Sequence, residues 1–127
     1  MVYFVSGHRN LSEEEFERFY VRKIERILES DPNPSFVIGD YEGVDIMSQD
    51  YLVSKGLEDK ITVYHMFTSP RHKNPKIKST KGGYIDDISR DSAMTNDSDF
   101  DIAYYKPEKG NSGTLQNPAL SLRDNRQ

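Results

Sequence analysis

Apolar residues fall along this chain in short runs of two kinds. Val2-Tyr3-Phe4-Val5 is continuous, rich in strand formers and closed by Ser6-Gly7. Such a run suits a strand buried on both faces, as in a parallel sheet. Phe36-Val37-Ile38, ending at Gly39, and Ile61-Thr62-Val63-Tyr64 read the same way, and a fourth strand is predicted over 100–105. Between these runs the spacing turns helical. Phe16, Phe19, Tyr20, Ile24, Ile27 and Leu28 share one helix face. Ser12-Glu13-Glu14-Glu15 before them is a capping box, and Asp31-Pro32-Asn33-Pro34 stops the helix. Val44, Met47, Tyr51 and Leu52 mark a second helix, with Gly56 as its C-terminal stop.

The stretch 68–83 is polar and basic and reads as one long loop, with Arg71 directly after Pro70. Loops of that length are functional or disordered more often than not. A helix is expected over 84–94, a loop over 107–113, a last helix over 114–120 and a polar tail over 121–127. Strand, helix, strand, helix, strand implies right-handed crossovers. The expected architecture is a Rossmann-like, three-layer α/β/α domain with a small parallel sheet of about four strands. A length of 127 residues suits one such domain over 1–127.

Composition narrows the functions. Only 35% of residues are hydrophobic and 30% are charged, which predicts a compact core with long polar loops. The net charge of −4 argues against broad nucleic-acid binding, which needs a basic face, but leaves room for a small anionic ligand at a local cluster. The chain has no cysteine, so thiolate chemistry and disulfides are excluded. The opening apolar run is too short for a signal peptide, and nothing approaches the about 18 apolar residues of a membrane span. The expected setting is the cytoplasm, with no membrane partner. The three histidines are scattered without zinc-like spacing, so no metal ligands are assigned. No cofactor is implied either, beyond Mg²⁺ carried in on a ligand's phosphates.

The glycines locate the candidate chemistry. Gly7, Gly39, Gly43 and Gly113 follow predicted strands or open helices, and those strand ends line the ligand crevice of open α/β sheets. In Ser6-Gly7-His8-Arg9, Arg9 can grip a phosphate and His8 can contact a base or ribose, or shuttle a proton. In Gly39-Asp40-Tyr41-Glu42-Gly43-Val44-Asp45, glycines shape a turn into a helix. Its carboxylates can cap N–H groups, hold ribose hydroxyls or act as a base. Ser112, Gly113 and Thr114 form a plausible phosphate cradle, though not a Walker motif. Arg90-Asp91 on a helix reads by itself as a solvated face, and the basic loop around Arg71 as a solubility feature.

The segments SGHR, GDYEGVD, PR, RDSAM, SDFDIAYY and NSGT, in that order, resemble the SLOG superfamily over Val2 to Asn117. This group of Rossmann-like domains includes the LOG cytokinin-activating hydrolases and the DprA DNA-processing proteins. The resemblance implies a nucleotide-type ligand at the strand ends. By position Gly7 and Arg9 match the first loop, Gly39, Gly43 and Asp45 the second, and Ser112, Gly113 and Thr114 the phosphate loop. Arg90, Asp91 and Asp99 match the segment before the fourth strand. LOG enzymes carry a catalytic glutamate after the phosphate loop, where this chain has Gln116 and Asn117. An amide neither activates water nor stabilises an oxocarbenium-like sugar well. The further apolar strand usual after that helix is also missing, so a partner can complete the sheet edge, and the resemblance implies a homodimer.

The leading expectation is a module that binds or senses a nucleotide or nucleoside phosphate. One alternative is an N-glycosidic hydrolase or glycosyltransferase acting on nucleoside 5′-monophosphates, with Asp45 and Glu42 as acid/base candidates and Asp91 behind them. Another is a scaffold that has lost its ligand.

Overall fold

The computed structural model describes residues 1–104. Five parallel strands form one sheet: β1 (Val2–Gly7), β2 (Ser35–Ile38), β3 (Ile61–Met66), β4 (Ser79–Tyr84) and β5 (Phe100–Tyr104), in the order β4-β3-β2-β1-β5. The chain steps outward from β1 to β4, then returns across the sheet to lay β5 beside β1, where Tyr3 pairs with Phe100 and Gly7 with Tyr104. The order therefore reverses between β1 and β5, and the crevice at such a reversal is where open α/β sheets bind ligands. This is a Rossmann-like three-layer domain.

One face is covered by a long helical rod and by α3 (Val44–Ser54). The rod runs as α1 (Glu13–Phe16), a π-helical stretch Glu17–Val21 and α2 (Arg22–Ser30). Its capping box forms as the sequence predicts, with Ser12 Oγ accepting from the Glu15 amide and Glu15 Oε1 accepting from the Ser12 amide, both at 3.1 Å. The wider π turn sets Tyr20 and Val21 side by side on the buried face. They join Tyr3, Val5, Ile24 and Phe36 in the larger core. Gly56, at φ +77°, ends α3 in a Schellman motif: the Leu57 amide donates to the Leu52 carbonyl and the Gly56 amide to the Val53 carbonyl. The opposite face carries α4 (Asp87–Asp97), whose Met94 packs on Phe4, Val37 and Tyr64.

Two expectations are corrected. The region 68–83 is not all loop, because β4 lies within it, which brings the sheet to five strands. β4 is an edge strand with exposed polar side chains on both faces, so it carries no apolar run to betray it. Its Gly82 is required by the neighbouring strand: a Cβ there would sit 2.0 Å from the His65 ring. The following helix starts at Asp87 rather than near 84, because Tyr84 still belongs to the strand and Asp86 supplies the N-cap, accepting from the Ser89 amide at 2.8 Å. Tyr105, the loop over 107–113, the last helix over 114–120 and the tail lie outside the described residues. Among the described residues no helix is long and apolar enough to cross a membrane.

Candidate functional site

A cavity of about 220 Å³ opens at the carboxyl ends of β1 and β2. Ser6 and Gly7 from β1, Gly39 after β2, Asp45 from α3, and Arg90 and Asp91 from α4 line it. Phe4 and Met94 supply apolar wall. Thus five predicted site residues, Gly7, Gly39, Asp45, Arg90 and Asp91, meet in one cavity although the chain separates them widely.

The cavity stands on the α4 side of the sheet because the other side is filled. The Tyr20 hydroxyl donates to the Ser6 carbonyl at 2.7 Å and accepts from the Tyr104 amide at 2.9 Å, bridging the ends of β1 and β5. A Cβ on Gly7 would lie 2.2 Å from that hydroxyl, so packing alone requires glycine there. Gly43 is required for two reasons. Its φ is +85°, and a Cβ would meet the Arg9 backbone at 2.1 Å. With the Val44 amide donating to the His8 carbonyl at 3.1 Å, this seats the start of α3 directly on the first loop.

The electrostatic centre is Asp40, which is fully buried. Its Oδ2 accepts from the Arg71 backbone amide at 2.8 Å and from Arg71 Nε at 3.2 Å. Its Oδ1 accepts from Arg71 Nη2 at 2.9 Å and from Arg90 Nη1 at 2.7 Å. Burial works to raise the Asp40 carboxyl, but the hydrogen bonds and charge of Arg71, with Arg90 behind, carry it below the usual carboxylate range. Arg90 also donates from Nε and Nη2 to Asp91 Oδ1 at 3.3 and 3.1 Å. The expectation of a solvated Arg90 is therefore corrected: it is buried, because a buried carboxylate awaits it inside.

Arg71 is likewise no loose solubility feature. Buried Gln49 ties the rest of its loop to α3, donating to the Gly39 carbonyl at 3.0 Å and accepting from the Asn74 amide at 2.8 Å. Ile77, further along, is buried in the larger core. The connection is thereby held against Asp40 and the start of the loop after β2.

Asp45 sits in the first turn of α3, 9% exposed, with Oδ2 accepting from the Tyr41 amide at 3.1 Å. Burial pushes its carboxyl up to about 7, against the Tyr41 N–H and the Arg90 charge, and Asp91 and Asp40 push the same way. Tyr41, at 37% exposure, also lines the cavity, its hydroxyl accepting from Arg9 Nη1. The Arg9 and Arg71 guanidinium carbons lie 5.4 and 4.8 Å from the Tyr41 ring centre, within cation–π range. Among the described residues Arg9 has no carboxylate partner, whereas Arg71 and Arg90 each have more than one.

The remaining predicted residues divide. Arg9, Gly43 and Arg71 surround the cavity without lining it, and His8 contributes its backbone carbonyl rather than cavity wall. Ser112, Gly113 and Thr114 lie outside the described residues. Asp99 belongs to the opposite end of the sheet, where it accepts from the Val2 amide at 2.9 Å. The sequence reading counted Asp40 among the carboxylates of its turn without singling it out, and gave Tyr41 no role of its own. A carboxylate directly after a buried strand and a glycine was the available signal, but nothing local names its two distant arginines. No protein-family model matches this chain, and no curated protein or solved structure matches it.

Proposed function

We propose that this domain binds a nucleotide or nucleoside-phosphate derivative at the carboxyl ends of its strands, as a cytoplasmic binding or sensing module related to the SLOG group. The observation that carries the reading is the pairing of a polar cavity at the carboxyl end of β1, the strand that borders the reversal of strand order, with Arg9, a cation beside it that has no carboxylate partner among the described residues. Such a cation suits a phosphate, which Arg binds in bidentate fashion. The order of the six motifs supports the same ligand class.

A thermal-shift screen against mono-, di- and cyclic nucleotides and ADP-ribose derivatives tests it. A binder raises stability by RT ln(1 + [L]/Kd), so the expected result is a melting shift with at least one member. Arg9→Ala should abolish that shift while leaving the unliganded melting temperature in place, since Arg9 is exposed. An absent shift across the whole panel would end the reading.

A second reading, N-glycosidic cleavage of a nucleoside monophosphate, is favoured by one observation: a cavity carboxyl, Asp45, held near 7, where general acid–base chemistry is most effective. Chromatography of released base, abolished by Asp45→Asn, tests it.

A further inference from the structure

We propose that the cavity is the sugar subsite of this ligand: a ribose ring lies inside it with its vicinal hydroxyls on Asp45, and the phosphate stays outside, on Arg9. The proposal rests on the nucleotide reading above and adds an orientation and a sugar preference.

Size is the first argument. Pockets that enclose a whole drug-sized ligand run to about 300–1,000 Å³. At about 220 Å³ this cavity takes one ring and leaves the rest of a nucleotide outside.

Charge is the second. Arg90 is the one cation lining the cavity among the described residues, and its three nitrogens already donate to Asp40 and Asp91. A phosphate pushed inside would find no uncommitted cation there and would face the Asp91 carboxylate and the acidic side chain of Asp45. Beside the cavity, Arg9 has no carboxylate to satisfy. The ligand's anionic end therefore belongs at Arg9, and a neutral, donor-rich part belongs within.

Hydrogen-bonding capacity is the third. Asp45 uses Oδ2 for the Tyr41 amide, and Oδ1 has no protein donor among the described residues. Oδ1 is not sealed away either: the one buried side-chain oxygen left without a partner there is Ser48 Oγ. A carboxyl oxygen without a donor, on a residue itself nine-tenths buried, calls for O–H or N–H groups. A furanose supplies adjacent hydroxyls on its edge and C–H faces for Phe4 and Met94. The carboxylate directly after β2, Asp40, cannot serve, since four protein donors already occupy it.

Calorimetric titration of the full chain decides the matter. The probes are the four common ribonucleoside 5′-monophosphates, their 2′-deoxy and 3′-deoxy counterparts, ribose 5-phosphate and the free bases. Losing one hydrogen bond to a charged group weakens binding by about tenfold or more. The expected result is that the best-bound ribonucleotide exceeds at least one of its deoxy forms by that margin, that ribose 5-phosphate competes with it, and that Asp45→Asn narrows the ratio. Should Asp45→Asn not fold, the wild-type ratio stands without it, and Asp91→Asn serves as the second variant. Equal affinity for ribo and both deoxy forms would overturn the sugar subsite and leave nucleotide binding intact. Competition by a free base but not by ribose 5-phosphate would also overturn it, by putting the base inside. Binding of no nucleotide at all would overturn the nucleotide reading and this one with it.

Discussion

Arg90 Nη1 donates to Asp40 Oδ1 at 2.7 Å, and both side chains are closed off from solvent. A buried pair of this kind adds little to stability when intact, yet removing one partner leaves an uncompensated charge. Asp40→Asn should destabilise the domain by about 3–5 kcal/mol in urea denaturation. The wild-type pH dependence has a definite sign. The Asp40 pKa is lowered by folding, so its contribution is complete above the unfolded carboxyl value and is lost as pH falls through the folded one. Acid unfolding should therefore lose a component in Asp40→Asn.

Asp45 has the opposite sign. Folding raises its carboxyl from 3.8 to about 7, so the folded protein holds a proton that the unfolded chain releases. Its contribution is complete below pH 3.8 and is lost as pH rises to about 7. Asp45→Asn keeps an oxygen for the Tyr41 amide and has no proton to lose. The variant should gain on wild type by on the order of 2–4 kcal/mol between acid and pH 8. Denaturation curves of both proteins across that range check it. Parallel curves would mean that Asp45 is not held protonated.

Two glycines with different surroundings should respond differently to alanine. At Gly39 a Cβ would come within 2.6 Å of Asp45 Oδ2 and 3.2 Å of the Arg90 guanidinium carbon. Gly39→Ala should cost about 1–3 kcal/mol and weaken nucleotide binding, since the methyl crowds two cavity residues. At Gly56 nothing stands within 4 Å and the penalty is the positive φ alone. Gly56→Ala should cost about 1–2 kcal/mol and leave ligand affinity unchanged. Melting temperatures with and without ligand separate the two.

Tyr20→Phe removes one oxygen that serves both β1 and β5. The Tyr104 amide would be left buried without its acceptor, at a cost of about 1–3 kcal/mol. Amide hydrogen exchange should speed up at Tyr104 first.

Much of this arrangement was legible in the residue pattern. Strands β1, β2 and β3 announce themselves because both of their faces are buried, so their runs are apolar throughout. The capping box at Ser12 and the stop at Gly56 are local chemistry, and local chemistry reads directly from neighbours. Glycines at strand ends picked out Gly7, Gly39 and the turn into Asp45. Two things were not legible. β4 is polar on both sides, and its Gly82 looks like a turn until His65 is seen beside it. Asp40 is joined to arginines 31 and 50 positions away, and a carboxylate after a strand reads identically whether it faces water or two guanidinium groups.

The cavity wall draws on three stretches of chain: Phe4 to Gly7, Gly39 to Asp45, and Arg90 to Met94. During synthesis the first two emerge well before the third, so Asp40 can meet Arg71 first but lacks its second guanidinium until Arg90 follows, 50 positions later. Contacts of such long sequence separation form slowly. A nascent or truncated chain ending before α4 holds no half-built version of the cavity, because it lacks both the cation that neutralises Asp40 from that side and the helix that roofs it. The cavity is thus completed in one late event, when α4 supplies its last wall.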